Sequence, residues 1–306
     1  MSAPFAPAYL TLLESGELER RAAEARRRME RCDLCARRCG VNRLLSAKGA
    51  ACRTGEYALV CSHGPHHGEE PPLVGLYGSG TIFFSWCPLR CVFCQNWDIS
   101  QRGEGREVTT GELAAMMLEL QGMGCHNINL VTPSHVVAQF LAALVLAAEG
   151  GLSLPVVYNT GGYDSPEALK LLDGVVDIYM PDMKFADDAV ARKHLGVENY
   201  PGVNRAAVRE MHRQVGDLVL DGEGVARRGL LVRHLVLPGN LAGTDRVLAF
   251  LAREISTETY LNLMDQYRPC YRAAEYPPLD RRPAFAEFRA AVKTAGELGL
   301  HRLDKN

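Results

Sequence analysis

Cys87, Cys91 and Cys94 place three thiols within eight positions of the stretch Gly78 to Gln101, GSGTIFFSWCPLRCVFCQNWDISQ. Thiolate is the metal-binding form of cysteine, and iron–sulfur clusters are normally held by cysteine thiolates, usually four of them. Three thiolates would leave one iron without a protein ligand, and an open coordination position separates a catalytic metal site from a closed structural one. No fourth cysteine follows at close spacing; the next is Cys125. The apolar, β-prone run Thr81 to Phe84 leads straight into Cys87, which sets the thiols on the loop after a strand. That is where α/β barrels keep their chemistry. Buried reduced thiols or part of a zinc knuckle are the plainer readings of three cysteines. Neither explains the preceding strand together with Phe93.

A second set lies upstream. Cys32, Cys35, Cys39 and Cys52 follow the pattern Cys-x2-Cys-x3-Cys-x12-Cys, and four thiols suit a closed site, either tetrahedral zinc or a cysteine-ligated cluster. Ten arginines occur from Arg20 to Arg53, yet Glu14 to Arg31 sets acids ahead of bases among helix formers, the pattern of a solvated helix with i,i+4 pairs. No aromatic platform is interleaved with those arginines, so nucleic-acid binding is not expected. Cys61 to Gly78 carries His63, His66, His67, Glu69 and Glu70 on a Pro/Gly-rich connector near a module boundary; they are candidates for ligands or substrate-facing acid–base groups, and a surface loop is the favoured reading.

The elements that must position these residues are set by periodicity. Short apolar runs alternate with helical patterns from Gly80 onward, which predicts βα units and a parallel sheet. Strands are expected near Thr81–Phe84, Asn127–Val131, Pro155–Asn159, Val176–Pro181, Leu230–Leu237 and Tyr260–Met264. Helices are expected over Thr109–Gly122, Ser134–Ala148, Ser165–Leu172, Asp187–Leu195, Tyr200–Val215 and Gly243–Ile255, with a hairpin turn at Asp221 to Gly224. The fold class is α/β, an incomplete (β/α)6 TIM-like barrel over residues 66–306 with a small Arg/Cys-rich metal module at 1–65. The 306 residues are 47% hydrophobic with a net charge of −2, so no general attraction to nucleic acid or an anionic membrane is implied. Phe140 to Ala148, the longest plain apolar run, is far short of a membrane span, and no signal peptide pattern opens the chain. Ten cysteines argue for metal ligation in a reducing compartment, and the expected location is cytoplasmic.

The spacing Cys-x3-Cys-x-Phe-Cys, with Phe93 just before the last thiol, resembles the signature of radical S-adenosylmethionine (SAM) enzymes. The resemblance implies a [4Fe–4S] cluster on Cys87, Cys91 and Cys94, with SAM chelating its open iron. One electron then splits SAM into methionine and a 5′-deoxyadenosyl radical, which the protein positions and shields. Asn159-Thr160-Gly161 after the third strand and Asp182-x-Lys184 after the fourth look like the activating enzymes of pyruvate formate-lyase and other glycyl radical enzymes. That likeness implies a monovalent-cation and SAM site at Asn159, Thr160, Met180 and Asp182, with Lys184 and Arg233 near the SAM carboxylate. The leader, Cys32 to Arg43 and then Gly64-Pro65-His66 and Glu69 to Gly75, is similar to an uncharacterised bacterial and archaeal branch of activase-like proteins. The chain departs from the superfamily where Gly-Gly-Glu often ends the second strand, for Thr132-Pro133-Ser134 stands there. Thr132 and Ser134 are expected to substitute through hydroxyl and backbone. Asn159 also replaces the activase Asp, which takes one charge from the cation site.

The resemblance thus implies a SAM-cleaving oxidoreductase that abstracts hydrogen from a substrate. Its expected partners are a glycyl radical protein and an electron donor such as flavodoxin or ferredoxin. Radical modification of a small molecule or of another protein is the competing use. The contrasting class is a non-catalytic iron–sulfur or zinc protein.

Overall fold

The computed structural model describes residues 5–304. Two helices, α1 (Tyr9–Glu14) and α2 (Glu17–Arg28), precede the sheet. Charge pairs Glu17–Arg21 at 2.6 Å and Glu24–Arg28 at 3.0 Å flank the buried face of α2, which carries Leu18, Ala22 and Ala25. The expectation of a charge-laced helix is met.

β1 (Ala58–His66) pairs antiparallel with β2 (Ser79–Phe84), the short helix α3 (Pro71–Val74) lying between them. On its other side β1 pairs antiparallel with β3 (Arg106–Val108). β4 (Ile128–Val131), β5 (Val156–Thr160), β6 (Ile178–Pro181), β8 (Ala226–Leu235) and β9 (Tyr260–Met264) then extend β2 as parallel neighbours. β7 (Val219–Leu220) forms the expected hairpin with β8. The helices between or after them are α4 (Thr110–Gly122), α5 (Val137–Glu149), α6 (Pro166–Leu172), α7 (Asp188–Leu195), α8 (Tyr200–Val215), α9 (Thr244–Phe250) and α10 (Phe285–Glu297). Each parallel crossover needs such a helix. Among the described residues β9 pairs with β8 and no strand closes the sheet back to β2, so the barrel is incomplete as read from sequence.

Every expected strand from Thr81 onward is present, with ends moved by a few residues. The connector is different. Its first half is β1, which begins at Ala58, runs across positions 65 and 66 and sits within the sheet. Its second half tucks Leu73 under the barrel, fully buried with Val157, Ile178, Met180 and Leu231. The apolar pair Pro72-Leu73 needs cover, and a surface loop would not provide it.

Alternation decides what faces inward. Ile82, Phe84, Ile128, Leu130, Tyr158, Tyr179, Leu230, Val232, Leu261 and Leu263 belong to the large core that the helices cover. The intervening residues, including Asn129, Asn159, Arg233 and Asn262, therefore face the lumen. The lumen is apolar at its base and polar above.

Replacing Leu73 tests the base of the barrel. Leu73→Ala should lower unfolding free energy by about 2–5 kcal/mol, as for other buried leucines, with Leu45→Ala, at an 84% exposed site, within about 0.5 kcal/mol of the parent. Denaturant titration of both variants measures the difference.

Candidate active site

The turn into the thiol loop is strained. Trp86, immediately before Cys87, has φ +66°, and Thr132 at the end of β4 has φ +62°. For a β-branched residue this is an outlier costing on the order of 1–3 kcal/mol, and such strain gathers at functional sites. The Trp86 N–H donates to the Ile99 carbonyl at 3.0 Å, and the Thr132 N–H to the Asn159 carbonyl at 2.8 Å. Gly103 makes room for the indole, since a Cβ there would overlap the ring.

The loop itself is pinned by packing. Phe93 is buried edge-on against Phe185 and Tyr267, with ring centroids 5.9 and 6.1 Å away. The N–H groups of Arg90 and Val92 donate to the carbonyls of Leu195 and His194 at the end of α7. Cys87, Cys91 and Cys94 are free thiols. The Leu89 N–H points at Cys87 Sγ at 3.4 Å, and Ser100 Oγ lies 3.1 Å from Cys94 Sγ. Burial pushes the Cys87 thiol up to about 12, offset in part by the Leu89 N–H and by Lys184 and Arg90. Without a metal the Cys87 and Cys91 thiols, both raised by burial, stay protonated. A cationic metal centre is what makes them thiolates.

Beside the loop, Asp182 joins two cations. Lys184 Nζ donates to Asp182 Oδ2 at 2.5 Å and Arg233 Nε to Oδ1 at 2.8 Å, while Arg233 Nη2 donates to Asn159 Oδ1 at 2.7 Å. Burial opposes charge on Asp182, but Arg233 and then Lys184 hold its carboxyl below the usual carboxylate range. Burial likewise opposes charge on Lys184, and Asp182, followed by the Cys91 thiol, raises its pKa above that of an ordinary ammonium. These groups and Phe93 line one cleft, closed by Leu235, Leu237 and Met264. Asn159, Asp182, Lys184, Arg233 and Phe93 are thus together at the thiol loop.

Thr160 is used differently. Its hydroxyl donates to Asp164 at 2.7 Å and meets Ser134 Oγ at 2.9 Å, all three side chains being buried. Ser134 is thereby committed to the fold, while Thr132 remains half-buried at the rim.

The upstream cysteines come to the same end of the barrel. Cys35 bridges to Asp164 after β5, Arg37 Nε donates to the Pro88 carbonyl at 2.7 Å, and Arg90 donates to the carbonyls of Ala51 and Cys87. Arg43 reaches among them, 2% exposed, giving hydrogen bonds to the Thr54 carbonyl at 2.7 Å and Cys32 Sγ at 3.5 Å. Among the described residues no group of three or more His, Cys, Asp or Glu is placed to hold a single metal ion. The corners of a cubane cluster stand further apart than the ligands of one ion.

Sequence reasoning left Glu69 and Glu70 on a surface loop and passed over Asn129 and Asn262, yet all four face the lumen. Asn is depleted in strands, so Asn129 between Ile128 and Leu130, and Asn262 between Leu261 and Leu263, were the signal at hand.

A model of the radical SAM superfamily matches residues 81–220, from β2 to the β7 hairpin. This chain is 32% identical over 280 residues to the uncharacterized protein MJ0674 of Methanocaldococcus jannaschii, covering 88% of this chain and 75% of that one. It is 26% identical to MJ0808 of the same organism, covering 81% and 73%. Among solved structures, it matches a radical SAM methyltransferase from Sphaerobacter thermophilus with a TM-score of 0.47 and 17% identity, over 72% of this chain and 64% of that one. TYW1 with a lysine-pyruvate adduct bound matches with a TM-score of 0.42 and 11% identity, over 71% and 73%. The chain belongs to the radical SAM superfamily, and with it comes a SAM-cleaving radical enzyme with a [4Fe–4S] cluster. No helix among the described residues is long and apolar enough to cross a membrane.

The charge triad is open to test without cofactors. Asp182→Ala leaves two cations facing each other at sites only 20–21% exposed. It should cost about 3 kcal/mol of stability, the low end for breaking a buried pair. A thermal melt of the metal-free protein reads it.

Proposed function

We propose that Cys87, Cys91 and Cys94 hold the [4Fe–4S] cluster and that Lys184, with Arg233 behind it, receives the SAM carboxylate. The carrying observation is the placement of Lys184 within electrostatic reach of Cys91 on the wall of the Phe93 cleft. When bound, the cluster supplies the electron that splits SAM and releases the radical that abstracts hydrogen from a substrate. The chain's own residues hold, orient and exclude water. Lys184 gives one N–H to Asp182, which leaves two for a carboxylate. Asp182 keeps it charged, and Phe93, Leu235 and Met264 wall the cleft with apolar surface. Asn159 fixes the Arg233 fork from the side away from Lys184.

The N-terminal cysteines form a second centre in this reading. Arg43 is always charged, and among the described residues it has no carboxylate partner, only carbonyls and the thiols of Cys32, Cys35 and Cys52. A buried guanidinium among neutral thiols is costly, whereas metal-bound thiolates supply its counter-charge. An iron–sulfur cluster meets that need, since these thiols are not placed to hold one single ion. Activation of a glycyl radical protein rests on the likeness at Asn159, Thr160, Asp182 and Lys184, and modification of a small molecule is the competing use of the same radical. A one-electron donor such as flavodoxin or ferredoxin would serve it.

Anaerobic reconstitution tests both centres at once. The Cys87/Cys91/Cys94 triple alanine variant should lose about four iron atoms and all 5′-deoxyadenosine formation, while retaining residual iron on Cys32, Cys35, Cys39 and Cys52. Undiminished iron in that variant would refute the first assignment, and a metal-free product the second.

Lys184→Met keeps the stem and removes the charge. SAM affinity of the cluster-loaded variant, by equilibrium binding, should fall roughly ten- to a hundredfold, the value of a charge-assisted bond. Unchanged affinity would remove Lys184 from the SAM site.

A further inference from the structure

Past Arg233 the lumen holds polar atoms that the cluster and SAM leave unused. Glu70, 6% exposed, accepts from Asn262 Nδ2 at 2.9 Å through Oε1, and among the described residues its Oε2 has no partner. Asn262 Oδ1 has none either. Asn129, fully buried, turns its carboxamide toward Glu69, whose charged form it favours, and its Oδ1 has no hydrogen-bond partner among the described residues. Arg233 Nη1 stands 3.9 Å from Glu69 Oε2 and 4.0 Å from Glu70 Oε1, too far for a hydrogen bond. His66 Nδ1 flanks Glu69 at 3.4 Å.

Buried polar groups left unpaired at this density cost free energy, and natural interiors rarely keep them without a ligand or ordered water. The unpaired atoms are chiefly acceptors contributed by three separate elements: the turn before α3, β4 and β9. Charge points the same way, since Glu69, Glu70 and Asp182 face Arg233, Lys184 and His66, and with His66 neutral one negative charge is left over. A group with several N–H donors and one positive charge meets both demands.

We propose that Glu69, Glu70, Asn129 and Asn262 form a pocket for a primary ammonium group, and that the substrate of this enzyme is an amine. The word substrate rests on the radical SAM reading; the binding of an ammonium group does not. Arg233 divides the pocket from the SAM cleft. An amine held there presents its carbon chain toward the thiol end of the barrel, where hydrogen abstraction takes place.

Thermal melts of metal-free protein test the pocket, with butylammonium chloride as probe and potassium chloride and 1-butanol as controls. Butylammonium should raise the melting temperature saturably and the controls should not. Glu70→Gln and Glu69→Gln should each weaken the apparent affinity about tenfold or more, and should raise the melting temperature of the ligand-free protein by relieving an unmet buried charge. Two variants guard against one failing to fold. A response to butylammonium no greater than to potassium chloride, or one kept undiminished in both glutamine variants, overturns the proposal. Formation of 5′-deoxyadenosine by reconstituted parent protein reports on the radical reading alone. Amine binding without SAM cleavage would sink that reading and leave the pocket standing.

Discussion

A guanidinium that cannot be deprotonated stands inside a barrel, and the site is arranged to satisfy it. Arg233 projects from β8 into the lumen, 20% exposed, and its three nitrogens address three directions. One goes to Asp182 on the β6 side, one to Asn159 on β5, and one faces the Glu69–Glu70 turn. An arginine placed there stays charged whatever its burial. Its partners are therefore fixed as carboxylates and amide oxygens. Asp182 in turn needs a second cation to share, and Lys184, two residues on, supplies it at the edge of the thiol loop. A chain of alternating charge thus runs from the floor of the lumen to the cysteines.

The thiol end depends on packing rather than charge. Trp86 and Thr132 hold left-handed backbone that neither residue favours, and they keep it because hydrogen bonds to Ile99 and Asn159 and the space left by Gly103 over-determine the turn. Phe93, wedged between Phe185 and Tyr267, stops the loop from relaxing. Arg90 then ties the two cysteine sets together through the carbonyls of Ala51 and Cys87. The upstream segment is fastened by the same end of the barrel, with α2 laid on α5 and Tyr9 donating to the Leu154 carbonyl at 3.0 Å.

Strands β2, β4, β5, β6, β8 and β9 were legible because each is a short apolar run bounded by turn chemistry, and the helices because their caps are explicit, as with Thr109 and Glu112, whose side chains cap each other's N–H groups. The thiols and the Asp182-x-Lys184 pair were legible from spacing. The Cys61–Gly78 connector was not. Pro, Gly and His inside Ala58–His66 argue for a loop, yet an edge-side antiparallel strand tolerates all three. Once that segment was read as surface, Glu69 and Glu70 looked solvated. Only the closure of α3 under the barrel buries them, and no local pattern announces a contact with Asn262, which lies 192 residues away.

That contact lies where the sheet fails to close. β1 and β3 occupy the side of β2 away from β4, no described strand joins them to β9, and Glu70 reaches Asn262 of β9 from the turn before α3. The gap is filled by a turn whose carboxylates enter the lumen edgewise, and a turn can present two adjacent acids to one space where a strand would point them to opposite faces. Placing acids there raises the free energy of the empty lumen, because burial pushes the Glu69 carboxyl upward, opposed by Arg233 and aided by the neighbouring Glu70. Leu73 offsets this by anchoring α3 in the apolar base of the barrel. The fold therefore carries an unmet negative charge next to a reactive centre and holds it with hydrophobic contacts elsewhere. That division of labour lets the base of the barrel set stability while the polar layer above it is left free to select what enters.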